Sequence, residues 1–156
     1  MTDYTGVALS KLSDGVNFMD STDRNAKSRY LREVSTPGVA LAANDEILGP
    51  KLPANILVVD AYIRIHATLG ATGKLSLGHK ASSDADVTHA EDADAFILES
   101  DGGGQAAFTR SGDADNLVPA GIGKRFTKEV QTFAKCTELA ENADVKIEWV
   151  IKYLVD

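Results

Sequence analysis

The chain has 156 residues, 44% of them hydrophobic and 25% charged, with a formal net charge of −7. This size and balance describe one globular domain with a short appendage. The acidity argues against nucleic acid as a partner, because a phosphate backbone is bound mainly through Lys and Arg. Cys136 is the single cysteine, so an intrachain disulfide is excluded. No apolar run approaches the roughly 20 residues of a membrane-spanning helix. Residues Met1–Gly6 do not have the basic-then-apolar pattern of a secretory leader, and none is expected.

In chain order, residues 1–29 are polar and punctuated by Gly6, Gly15 and the stretch Asp20–Asn25. Their apolar side chains, among them Leu9, Leu12, Phe18 and Met19, follow no sustained period, as in an arm that needs a surface to lie on. Residues 30–156 form the expected domain. Short β-like runs separated by turn residues begin at Tyr30–Val34 and continue through Val39–Ala43, the turn Asn44-Asp45, and Ile47-Leu48 before Gly49-Pro50. The strongest signal is Ile56–Ala67. There Leu57, Val59, Ala61, Ile63 and Ile65 alternate with Asp60, Tyr62, Arg64 and His66, the pattern of a half-buried strand. Gly70–Gly73 then predicts a turn into Lys74–Gly78 as a hairpin partner of that strand. Residues 79–104 are the least strand-like, with a short helical turn expected near Asp94–Leu98. Gln105–Arg110 and Phe126–Cys136 read as strands, and Val145–Val155 alternates clearly to the end. No strand alternates with a long amphipathic helix, so seven or eight antiparallel strands in a two-sheet β-sandwich are expected.

Candidate chemistry is sparse. Asp84, Asp86, His89, Glu91, Asp92 and Asp94 supply oxygens for a calcium loop, but their spacing does not match the twelve-residue helix–loop–helix signature. A solvated loop is the better reading. His66, His79 and His89 stand without a nucleophile or further ligand at a motif spacing. Cys136 reads as a small apolar filler. Gly121-Ile122-Gly123-Lys124-Arg125 resembles part of a phosphate loop, yet Val118 and Arg125 occupy positions that need Gly and Ser or Thr. Trp149 and Tyr153 share a face with Val145, Ile147 and Ile151, and the aromatic residues in general fall at core-like positions. No catalytic, cofactor-binding or metal-binding residue is assigned, and the chain is not expected to be an enzyme.

Several stretches together resemble a group of tailed-bacteriophage virion proteins. They are Ala43-Asn44-Asp45, Ile47-Leu48-Gly49, Leu52-Pro53 leading into the long strand with Asp60-Ala61, Leu75-Ser76-Leu77-Gly78, Asp92–Phe96, and the aromatic strand Trp149–Val155. The likeness spans about residues 30–156, with Ala81–Ala90 departing from the usual spacing. The family is that of head decoration, or cement, proteins. The resemblance implies a jelly-roll-like module, a homotrimer on the outer capsid surface, made in the host cytoplasm, with the major capsid protein as partner. It implies no cofactor, no membrane and no nucleic acid. Residues 1–29 would then reach a neighbouring subunit, with Leu9, Leu12, Phe18 and Met19 as capsid or subunit contacts. The alternatives are a phage tail or head-fibre component, or a carbohydrate- or calcium-binding β-sandwich module.

Overall fold

A computed structural model describes residues 27–83, 88–113 and 119–155. Among the described residues nine strands follow in chain order: β1 (Lys27–Ser35), β2 (Glu46–Leu52), β3 (Ile56–Ile65), β4 (Lys74–Ala81), β5 (Asp92–Asp101), β6 (Ala107–Arg110), β7 (Arg125–Phe126), β8 (Val130–Glu138) and β9 (Ile147–Val155). They form two antiparallel sheets, one ordered β1-β9-β3-β6 with β7 also on β3, the other β2-β8-β4-β5. The first and last strands pair, and the chain crosses repeatedly between sheets. This is the eight-strand, double Greek-key arrangement of a jelly roll with the two-residue β7 added. The antiparallel sandwich expected from the sequence is therefore the observed fold.

Burial follows the strand period. On β9, Ile147, Trp149 and Ile151 point between the sheets and are fully buried. They meet Leu75, Leu77, Val130 and Ala134 of the second sheet in one continuous core. Trp149 needs a facing strand with little side chain, and Gly49 provides it: a Cβ on Gly49 would lie 2.6 Å from the indole.

The alternation of β3 is interrupted. Val58 pairs with Tyr153 and Asp60 with Lys152, so Val59 is an extra residue in a β-bulge. Ile56 and Val58 are inward before the bulge, and Ala61, Ile63 and Ile65 after it. Leu57 and Val59, expected on the inward face, are half-buried instead because one inserted residue exchanges the two faces.

Other expectations are corrected by the topology. β1 begins at Lys27 rather than Tyr30. β4 is not the hairpin partner of β3 but lies in the opposite sheet between β8 and β5. The connection buries Leu69, whose N–H donates to the Gly102 carbonyl at 2.9 Å, and so carries the chain across the sandwich. The segment 126–136 is divided: β7 ends in the first sheet and β8 starts in the second.

The helical turn expected at Asp94–Leu98 is strand β5, distorted where it passes β4. Leu77 pairs with Ile97 but His79 pairs with Asp92, so two residues of β4 span five of β5. The excess chain crosses directly over Gly78, where a Cβ would stand 2.0 Å from the Asp92 carbonyl oxygen. Ala95, Phe96 and Ile97 are buried in succession, which removes the alternation that marks a strand.

Candidate functional site

The outward face of the β1-β9-β3-β6 sheet carries the chain's most distinctive arrangement. In register across the strands lie Arg32–Val150–Tyr62–Arg110, and beside this row Val34–Glu148–Arg64–Phe108. The Arg32 Nε donates to Glu148 Oε1 at 2.7 Å, and His66 Nε2 lies 3.2 Å from Oε2 of the same carboxylate. The Arg32 hydrogen bond, joined by that of His66, holds the Glu148 pKa below the usual carboxylate range. Thus His66 is on the polar side of its strand, as expected, but bonded rather than free.

At the bulge, Arg110 grips Asp60 through Nε at 3.1 Å from both oxygens and through Nη2 at 2.5 Å. Ser111 Oγ donates to Asp60 Oδ1 at 2.9 Å. Burial works against this carboxylate, but the Arg110 and Ser111 hydrogen bonds outweigh it, and its pKa is lowered. These groups edge an open cleft of about 600 Å³ lined also by Val59, Gly112, Asp113, Pro119, Ile122 and Lys152. Asp60 is committed to structural partners, and the lining supplies no His or Cys to act as base or nucleophile beside Ser111.

Aromatic placement differs from the core-only expectation. Trp149, Phe96, Phe126 and Phe133 are buried, but Tyr30 is 58% and Phe108 59% exposed. Both sit on the outward face, Tyr30 under the Lys152 ammonium at 5.6 Å and Phe108 against Tyr62 with ring centroids 5.3 Å apart. The signal was available in the sequence: Phe108 alternates with Thr109 and so shares the face of Arg110.

The remaining sequence candidates are dispersed. Asp84 and Asp86 of the acidic cluster lie outside the described residues, as do Leu9, Leu12, Phe18, Met19 and Val118. His89 is buried against Phe126, and its Nε2 accepts the Thr127 N–H at 3.2 Å. Among the described residues, no three His, Cys, Asp or Glu groups are placed to hold a metal ion. Burial raises the Asp94 pKa, reinforced by its hydrogen bond with Asp92. The loop resembling a phosphate cradle stitches the sheets together: Gly121 N–H donates to Ala95 O at 2.6 Å and Gly123 N–H to Val58 O at 2.8 Å. Those amides are not available to an anion. Cys136 is buried with its Sγ 2.8 Å from the Glu138 carbonyl, and burial pushes the thiol pKa up, away from nucleophilic chemistry.

His79, which stands at no motif spacing in the sequence, is a structural element of the interior. It is fully buried between Phe96 and Phe126, at centroid distances of 5.7 and 4.8 Å, and neither ring nitrogen has a hydrogen-bond partner. Burial, with the charges of Lys124 and His89, lowers its pKa to about 4, so the ring is neutral at pH 7.

No protein-family model matches the sequence, and no curated protein does so either. The fold, however, is similar to solved structures. A chain in the capsid of Ralstonia phage GP4 superposes with a TM-score of 0.64 at 20% identity, over 92% of this chain and 94% of that one. A chain of the cyanophage Pam1 capsid asymmetric unit gives a TM-score of 0.55 at 15% identity, over 85% and 86% of the two chains. At these identities the likeness establishes a shared jelly-roll fold.

Proposed function

We propose that this chain is a phage virion structural protein: a decoration, or cement, protein that binds the outer surface of the head and bridges neighbouring major capsid protein subunits. The observation that carries the proposal is the near-complete, end-to-end similarity to a chain of a phage capsid, covering more than nine-tenths of both chains. The described candidates add support, since Asp60, Glu148, His89 and Cys136 are each held in structural contacts and do not converge on a reacting centre. The mechanism needs no covalent step. A protein that binds the assembled shell and not its opened form stabilises the shell by mass action. On this reading the chain acts as a homotrimer, and the arm expected over residues 1–29, whose last three residues belong to β1, precedes the sandwich. Leu9, Leu12, Phe18 and Met19 in that arm contact the capsid or a neighbouring subunit.

The test is co-sedimentation of the purified chain with expanded, empty heads of its phage. Saturable binding at a fixed ratio to the major capsid protein is expected. Absence of binding to heads, with binding to purified tails or to a glycan array, would replace the proposal with one of the other readings. Deletion of residues 1–25 is expected to weaken binding, and unchanged binding would remove the arm from the account.

A further inference from the structure

We infer that the outward face of the β1-β9-β3-β6 sheet is the docking surface, and that it fits an acidic protein patch on the partner shell. This rests on the decoration reading above and specifies the surface it uses.

The first support is charge. The whole chain carries −7, yet among the described residues this face presents Arg32, Arg64, Arg110 and Lys152 against Asp60, Glu148 and, beside Arg110, Asp113. Arg64 is exposed and makes no ion pair among the described residues. Local fields of this kind orient an approaching surface, and like-charged approaches elsewhere on an acidic molecule are disfavoured.

The second support is composition. Exposed Tyr30 and Phe108 flank the arginines, and Arg and aromatic side chains are the groups most often found at energetic hot spots of interfaces. The third is preorganisation. Glu148 and Asp60 hold Arg32 and Arg110 in place, so less side-chain freedom is lost on binding. The strands of the opposite sheet carry no arginine and no exposed aromatic ring: Lys51, Lys74 and Lys80 are each tied to glutamates, Phe133 is covered, and exposed apolar side chains such as Leu48 are aliphatic.

The experiment compares full-length wild type with Arg64→Glu/Phe108→Ser and with the opposite-face control Leu48→Ser, each shown by thermal melting to fold. Binding to empty heads is measured by co-sedimentation at low and high salt. The face variant is expected to bind at least about tenfold more weakly, the equivalent of about 1.4 kcal/mol. The control is expected to bind as wild type, and wild-type binding to weaken with salt. Equal binding by both variants, with wild type still binding heads, overturns the docking face and leaves the decoration reading intact. Failure of wild type to bind heads at all overturns both. Two other occupants are tested in parallel. Retention of a labelled single-stranded DNA by wild type and not by the face variant would make the surface a nucleic-acid site and defeat the inference. Loss of self-association in sedimentation velocity, with head binding preserved, would make it an interface between copies and also defeat it.

Discussion

The two outward faces of this sandwich cover the same core but solve different problems. On the β2-β8-β4-β5 sheet, β5 crosses over Gly78, Phe133 lies fully buried beneath the Lys80 ammonium at 5.2 Å, and three lysines are matched by four glutamates. That face is closed apart from aliphatic side chains such as Leu48, which stays exposed. On the β1-β9-β3-β6 sheet the rings of Tyr30 and Phe108 stay in solvent and cations outnumber carboxylates. Burial of the same residue types thus stabilises one face, while their exposure on the other points to use outside the molecule. Substitutions should therefore cost stability on the closed side and leave it nearly unchanged on the open side.

The largest effect is expected at the crossing on the closed face. Gly78→Ala places a methyl group against the Asp92 carbonyl and the Ala93 backbone, neither of which is a flexible side-chain end. A loss of at least about 3 kcal/mol is expected in urea unfolding. A loss below about 1 kcal/mol would show that β5 does not lie tightly on Gly78.

Next comes the interior beneath that crossing. His79 is neutral in the fold, with its pKa lowered to about 4, whereas the unfolded chain takes up the proton near pH 6.5. Its contribution to stability is therefore complete above pH 6.5. It falls as the pH drops from 6.5 to 4, and is constant again below that, where both states are protonated. A fall of roughly 2–3 kcal/mol across this window is expected. His79→Leu should flatten it, and an unaltered pH profile in that variant would remove His79 as its source.

Smaller effects are expected on the open face. Asp60→Asn breaks the charge of the Arg110 clamp, whose guanidinium is more than half exposed. Solvent screening limits the cost to about 1 kcal/mol. Phe108→Ser gives up one ring contact with Tyr62 and should cost no more than about 1 kcal/mol. A cost above about 2 kcal/mol in thermal melting would mean that Phe108 belongs to the core after all, and the contrast between the faces would collapse.

The sandwich is legible because β9 and the second half of β3 each turn one apolar face inward, which leaves a period of two in Ala61–Ile65 and, interrupted by the buried Val150 of the outward face, in Ile147–Ile151. Bulges hid the rest. A single insertion at Val59 exchanged the faces of Leu57 and Val58, and the longer excursion in β5 buried Ala95, Phe96 and Ile97 consecutively. Neither changes composition, so periodicity alone does not register them. The β3-to-β4 crossover was read as a hairpin because glycines mark a turn without saying whether the chain stays in its sheet. The open face is harder to read for a related reason: an aromatic residue on a strand has a strong prior for burial, which outweighs the alternation of Phe108 with Thr109 until the register with Arg64 places it outside.

As proposed above, this jelly roll stabilises a shell by binding its assembled state. This stabilisation is tested most directly by the temperature at which heads open, measured by calorimetry while the purified chain is titrated onto undecorated heads. A rise in opening temperature that follows occupancy and levels off when the sites are full is expected. Heads saturated with the chain that open at the same temperature as bare heads would contradict it.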